Sequence, residues 1–584
     1  MSEAQAGNGH TTELAQLQRR IRVALGQEPG DLALTGGRVV NVFTRTIEQA
    51  NVVLADGWIA GVGPHDWPAK QTIDLAGRAV LPGLVEAHMH LESTLLMPAE
   101  LAKLLVPHGT TAVVADPHEV GNVLGVPGIE MLLRHSDGLP IDYFFMASSC
   151  VPATAWEHAG AVLDPAAVDR LLGLPRVLGL AEVMDFPAVL NGRPDMLEKI
   201  LAARHRGMAV DGHAPAMIGR KLIAYAAAGV RSDHESTTVE EALQKAALGM
   251  LVKVREGSSE HNLDTMLPLL VEDRLGDWCL CSDDVHPDDL LARGHLDDRL
   301  RRVVAGGVPA PRAVRHATLV PARHYDLRDR GAVAPGYRAD LLIVEDLTGF
   351  RPHLVVKNGV LVARDGQYLG PATTRRLAPE NTVHIGSLTE SKLQLSLAGS
   401  QCPVIGIIPG QIVTRHESAV VSRADGHWAF DAERDVVLLA SIERHRATGN
   451  VGLGLVRGFG LRRHGALGSS VAHDSHNLIV AGTNSRDMLA CVRALQAGGG
   501  GWVAVTDGEV RAFLPLPVAG LMSTDDAHTV CPKLDALHAV TRSLGCELPY
   551  PFGTLSFLAL PVIPELRLTD QGLFDVSSQQ FVRL

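Results

Sequence analysis

The sequence predicts an α/β protein built on a TIM-type (β/α)8 barrel, with a discontinuous small β-sandwich domain and an additional C-terminal α+β domain. Three observations carry this. Short apolar runs recur eight times between residues 84 and 283, starting 20 to 36 residues apart with helical segments between them. Eight parallel strands joined by helices are the number that closes such a barrel. Short strands broken by turns flank the runs on both sides, and some two hundred further residues follow with strands and helices of their own.

The chain opens with Leu14, Leu17, Ile21 and Leu25 at helical spacing, which predicts an amphipathic helix over residues 12–27 whose role is packing. From Asp31 to Ala79 the texture is that of short strands, as in N-V-V-L-A-D-G-W-I-A-G-V-G. The barrel runs are Leu84 to His90, Thr111 to Asp116, Ile141 to Ser149, Val177 to Val183, Met208 to His213, Val230 to His234, Met250 to Arg255 and Trp278 to Asp283. Ala310 to Arg323 reads as helix, and Gly331 to Arg364 returns to short strands that complete the sandwich begun before the barrel. The expected division is a helical segment 1–30, a sandwich 31–83 plus 324–370, a barrel 84–323 and a C-terminal domain 380–584. The glycine run Gly498 to Gly501 lacks the Lys-Ser/Thr of a phosphate loop and the spacing of a dinucleotide fingerprint, so it reads as a turn.

At 584 residues the chain exceeds a single core. Its net charge of −12 is spread over both signs without a basic tract, which argues against nucleic acid or a membrane as partner. No apolar run reaches the length of a membrane span, and the N-terminus lacks a signal-peptide pattern, so a cytoplasmic location is expected. Seven scattered cysteines, an odd number, do not form a disulfide framework and are expected to be reduced. Aromatic residues make up only 4%, so aliphatic side chains must fill the cores.

Chemistry concentrates at the C-terminal ends of the runs, the face where such barrels keep their active sites. His88 and His90 close the first run, entered through Pro82-Gly83, and alternate residues of a strand share a face. Glu182 closes the fourth run, His213 the fifth, His234 the sixth, and Asp283 or Asp284 the eighth. Four imidazoles and two carboxylates can hold two divalent ions with one carboxylate shared between them. Cys279 and Cys281 precede the aspartates but lack the partner pair of a structural zinc site. The chain contains no Cys-x-x-Cys, so it cannot use the zinc chemistry of the cytidine-type deaminases.

The His-x-His opening and the segment P-G-Y-R-A-D-L after the barrel resemble the amidohydrolase superfamily. Many members bridge their metals with a carboxylated lysine on the fourth strand; here that strand reads G-L-A-E-V-M-D, which makes Glu182 the candidate bridge. The segments H-M-H-L-E-S, H-G-T-T-A-V-V-A-D-P-H-E, S-D-H-E-S, C-S-D-D-V-H-P-D-D-L and P-F-G-T-L-S-F-L-A-L-P-V-I-P-E-L-R-L-T-D together resemble the bacterial adenine deaminases, from about residue 30 to the C-terminus.

The resemblance implies hydrolytic deamination of adenine to hypoxanthine and ammonia in purine salvage. It implies His88, His90, Glu182, His213, His234 and Asp283 as ligands of two divalent ions, Mn²⁺ or Fe²⁺ with Zn²⁺ as an alternative. Between them the ions would lower the pKa of a water toward neutrality. Asp283 is the candidate base and then acid, and Asp284 a second base or substrate partner; the two are exchangeable, because neighbouring strand residues point oppositely. His118 and Glu119 are further catalytic candidates from D-P-H-E. Asp116 and His118 are candidates for orienting ligands, binding an additional ion or holding adenine. Glu92, Glu235, Ser258 and Ser259 are candidates for the purine, and Phe186, Trp156 and Phe552 for stacking on it. A homodimer is expected, with the C-terminal domain covering the barrel mouth or making dimer contacts. Two other readings remain: another aminopurine or a cyclic amide on the same metal site, and an inactive barrel kept for assembly. None of the six ligands is missing, which counts against the last.

Overall fold

The computed structural model describes residues 3–371 and 377–584, with side chains from residue 12 onward. Its centre is a ring of parallel strands: β1 (Leu84–Met89), β2 (Thr110–Ala115), β3 (Asp142–Ala147), β4 (Val177–Val183), β5 (Ala209–Gly212), β6 (Ser232–Asp233), β7 (Leu251–Arg255) and β8 (Trp278–Cys281). Strands β1 and β2 are buried at every position, as strands with covered faces must be, which is why they read as unbroken apolar runs. Strands β1 to β5 form one sheet and β6 to β8 another. The ring closes through a parallel bridge between Met89 and Asp283, and through the Arg231 amide donating to the Val210 carbonyl at 3.0 Å. At the entrance to β1, a Cβ on Gly83 would lie 2.2 Å from Thr111 Oγ1, so this close strand approach requires glycine.

Several strands are shorter than their apolar runs, β3 and β6 most of all. Only Asp142–Ala147 of 141–149 and Ser232–Asp233 of 230–234 keep strand pairing, because the polar residues at the run ends turn into the mouth. The helix expected over 310–323 is two helices, Ala310–His316 and Leu319–His324, broken at Ala317 and Thr318.

Strands from both flanks share one nine-stranded sheet, joined where Ala79–Pro82 runs antiparallel to Leu341–Val344. Gly30–Asn41 pairs with Ala69–Asp74 over its first half and with Ala79–Val80 beyond Arg38. The sheet therefore branches at the shift between Leu34 and Gly37, where Gly36 has φ +66°. Leu34, Val52, Leu341, Ile343 and Val356 fill the shared core. The N-terminal helix, Glu3–Ala24, packs differently from expectation: Leu14, Leu17, Ile21 and Leu25 are each about half exposed or more. Its packing face is instead Val23, Arg20 over the Trp58 ring, and Arg19 bridging Asp31 and Asp56.

C-terminal to the barrel, eight strands between Gln401 and Pro515 form a second large sheet. Helix Ser485–Gly498, capped by Asn484, packs on it through Met488, Cys491, Val492 and Leu495. Gly499, at φ +71°, ends that helix, so the glycine run is a helix stop leading into the strand Gly501–Thr506. This domain is tied to the barrel by the Ser523 amide donating to the Leu95 carbonyl at 2.7 Å.

Beneath the barrel, His316 stacks on Trp278 at 4.2 Å between ring centroids, and burial lowers its pKa to about 4. The unfolded chain takes up this proton near pH 6.5 and the folded chain does not. Stability is therefore unaffected above about pH 6.5 and falls as the pH drops toward 4, by about 3 kcal/mol in all. His316→Phe keeps the stacked ring and loses the titration. Its denaturation midpoints are expected to show a flatter decline between pH 7 and 4 than the parent chain.

Candidate metal centre at the barrel mouth

Six side chains converge where the strands end. His88 is the penultimate residue of β1 and His90 follows the strand, Glu182 lies in β4, His213 follows β5, His234 follows β6 and Asp283 lies two residues past β8. All six are buried. Glu182 occupies the middle. Its Oε1 is 3.3 Å from His90 Nε2 and 3.8 Å from His88 Nε2, and its Oε2 is 2.9 Å from His213 Nδ1 and 3.2 Å from His234 Nε2. Asp283 Oδ1 is 3.2 Å from His88 Nε2 and 3.1 Å from His90 Nε2.

Several of these positions are held from behind. The Tyr225 hydroxyl donates to the Val183 carbonyl and accepts from the His213 amide. Asp233, paired with the buried Lys245 ammonium at 2.7 Å, accepts from the Ala214 amide. The ring of His90 is set by Nδ1 at 3.0 Å from the Asp116 carbonyl. Arg255, at the end of β7, lies 2.8 Å from Asp283 Oδ2 and also contacts Glu235. Asp283 itself sits at φ +58°, and its amide donates to the His88 carbonyl.

The electrostatics follow from this packing. Burial works against charge on every group, and mutual pairing decides the outcome. The Glu182 and Asp283 carboxyls are held well below the usual range by the imidazoles around them, against the cost of burial. For His234, burial is outweighed by Glu182 and Asp283, and its pKa stands near 10; His88, with burial dominant, is lowered. Such a cluster suits a dication. His88 Nε2 is buried without a hydrogen-bond partner, and the donor spacings are those that ligands about 2.0–2.2 Å from a common ion produce. His88, His90 and Glu182 form one candidate triad, and Glu182, His213 and His234 another. Burial pushes the Cys279 and Cys281 thiols up, away from thiolate ligation.

The remaining candidates separate by position. Asp284 lines the cavity and accepts from the Ser93 hydroxyl. His118, Glu119 and Glu235 also line it. Asp116 lies behind the lining: its carboxylate accepts from the His118 amide and from Ser148 Oγ at 3.0 Å. Glu92 sits in a 3-10 turn, because the strand does not persist past His90, and it accepts from the Val120 amide. Ser258 is occupied by Asp289 and the His286 amide, while Ser259 faces a neighbouring cavity lined by Tyr550 and Phe557. The three expected stackers lie elsewhere. Trp156 stacks on Phe574 and Phe552 on Trp502, and Phe186 packs at the edge of the core.

The aromatic ring that does line the site is Phe557, stacked on His473 at 4.4 Å. Arg255, Ile412, His473, Asp474, Phe557, Leu560 and Ile563 complete the wall, and sequence reasoning missed all of them. Arg255 had a signal in its place at the end of the seventh run. His473 and Asp474 had one in A-H-D-S-H-N, five polar residues in a short buried loop.

The barrel with this buried cluster of imidazoles and carboxylates is that of an amidohydrolase, and residues 79–362 match the amidohydrolase family. Residues 411–580 match the adenine deaminase C-terminal domain. Adenine deaminase 2 of Carboxydothermus hydrogenoformans is 45% identical over 561 residues, covering 96% of this chain and 97% of that protein. The adenine deaminase of Desulfatibacillum aliphaticivorans is 43% identical, covering 97% and 99%, and that of Nitratidesulfovibrio vulgaris strain DP4 is 45% identical, covering 96% and 97%. The chain belongs to the adenine deaminase family.

Glu182 is the carboxylate that faces both imidazole pairs. Glu182→Ala is expected to lose tightly bound divalent ion, measured by elemental analysis after gel filtration, whereas Glu182→Asp retains part of it.

Proposed function

We propose that the chain deaminates adenine hydrolytically at C6, giving hypoxanthine and ammonia, with His88, His90, Glu182, His213, His234 and Asp283 holding two divalent ions, Mn²⁺ or Fe²⁺. The observation that carries this is Glu182, whose two oxygens face separate imidazole pairs, in a chain 45% identical to a named adenine deaminase. When bound, two such ions lower the pKa of an intervening water from about 15.7 toward about 7, so that hydroxide is available at neutral pH.

The protein groups then have separable tasks. Asp283 Oδ1 faces the ligand cluster while Arg255 holds Oδ2, so Oδ1 is placed to take the water's proton and return it to the purine or the departing ammonia. Asp284, held by Ser93, is assigned as the acceptor for a purine N–H. Glu235 is engaged by Arg255 and His234 and serves to fix them. Met184, Ile412, Phe557, Leu560 and Ile563 form an apolar wall opposite the ligands. That wall suits a flat heteroaromatic substrate and excludes water, which strengthens the charge interactions at C6.

The seven free cysteines support a reducing, cytoplasmic setting for purine salvage, and the exposed apolar stripe of the N-terminal helix supports a homodimer.

The test is ammonia release from adenine by Mn²⁺-loaded protein, beside adenosine, guanine, cytosine and hydantoin. Release from adenine alone is expected, and Asp283→Ala should lower kcat by about 10²–10⁴-fold. Silence on adenine with turnover of another compound would transfer the reaction to that substrate.

A further inference from the structure

The six barrel ligands do not exhaust the imidazoles and carboxylates at the mouth. Beside β2 a second group gathers from two distant parts of the chain. His118 and Glu119 begin the helix His118–Leu124, and His473 and Asp474 come from the loop between the C-terminal strands Ala466–Ser469 and Leu478–Gly482. Glu119 Oε1 lies 3.3 Å from His118 Nε2 and 2.8 Å from His473 Nδ1. Asp474 Oδ1 is 3.7 Å from each of the same two nitrogens.

These four atoms outline a cage of two nitrogens and two oxygens. Its edges match the 2.9–3.8 Å spacings of Glu182 with its four imidazoles. Donors bound at about 2.0–2.2 Å to one tetrahedral or octahedral ion stand about 3–3.6 Å apart. All four residues are at most 7% exposed. Both oxygens of Glu119 and Asp474 Oδ2 are buried with no donor in hydrogen-bonding geometry, although His476 Nε2 is in contact with Glu119 Oε2. Two buried carboxylates with so few donors call for a cation. Asp116 Oδ2 lies 3.1 Å from His118 Nδ1, on the side of the ring where a carboxylate behind a metal-bound histidine stands, although that nitrogen has no partner in hydrogen-bonding geometry.

We propose that His118, Glu119, His473 and Asp474 bind a third divalent ion, separate from the barrel pair, that pins the C-terminal domain to the barrel mouth. Two imidazoles with two carboxylates select Zn²⁺, Mn²⁺ or Fe²⁺ over Ca²⁺ or Mg²⁺. The site borders the barrel ligands, with His118 Nδ1 3.5 Å from Glu182 Oε1. The proposal goes beyond adenine turnover and stands without it.

The experiment counts metal in full-length protein stripped with chelator, reloaded with Mn²⁺ and gel-filtered. Three ions per chain are expected. His473→Gln and the isosteric Asp474→Asn should each hold one fewer with an unchanged circular dichroism spectrum. Glu182→Ala reports on the barrel pair separately: it should keep the ion that His473→Gln loses, and the double variant should lose both sets. A parent chain with two ions, both lost in Glu182→Ala and both kept in His473→Gln, overturns the proposal. So does His473→Gln with an unchanged count and a raised KM for adenine, which would make His473 a substrate contact.

Discussion

The mouth of this barrel depends on one buried carboxylate facing four imidazoles. Glu182 is almost wholly excluded from solvent, yet each of its oxygens meets at least two ring nitrogens. A charge in that position is tolerable only if its partners are fixed, since a buried group left unpaired costs several kcal/mol. Much of the surrounding structure does that fixing. Tyr225 and the Asp233–Lys245 pair set the end of β5, Arg255 holds Asp283, and the Asp116 carbonyl orients His90. The parallel strands supply the spacing, because their ends are held in register by the ladder and cannot drift one at a time.

The C-terminal domain contributes more than a cover. Ile412, Phe557, Leu560 and Ile563 make the apolar side of the cavity, and His473 with Asp474 adds a polar edge next to His118 and Glu119. The site is therefore asymmetric, with the candidate ligands coming from the barrel and much of the apolar lining from the last third of the chain.

The barrel was legible in the sequence because its strands are covered on both sides and so appear as eight apolar runs, each with a polar residue at or beside its end. The convergence of His88, His90, Glu182, His213, His234 and Asp283 was legible for the same reason: each sits at or beside a run end, where the strand fixes its direction. What the sequence hid were groups whose partners lie far along the chain. Nothing near His473 indicates that it meets Glu119, and Phe557 stands in an apolar stretch like many others. Glu92 read as continuing the face of His90, but the strand stops and a 3-10 turn carries it under the helix that starts at His118. The N-terminal helix shows the limit of periodicity, which located it correctly. In this chain, however, its arginines do the packing and its leucines stay outside.

The closure of the barrel passes through the candidate ligands themselves. The Asp283 amide donates to the His88 carbonyl, and the bridge beside it joins Met89 to Asp283. The seam of the ring and the floor of the candidate metal centre are thus one stretch of backbone. Any breathing of the barrel along that seam would part His88 from Asp283, and any ion that ties the two together would act as a clasp on the whole cylinder.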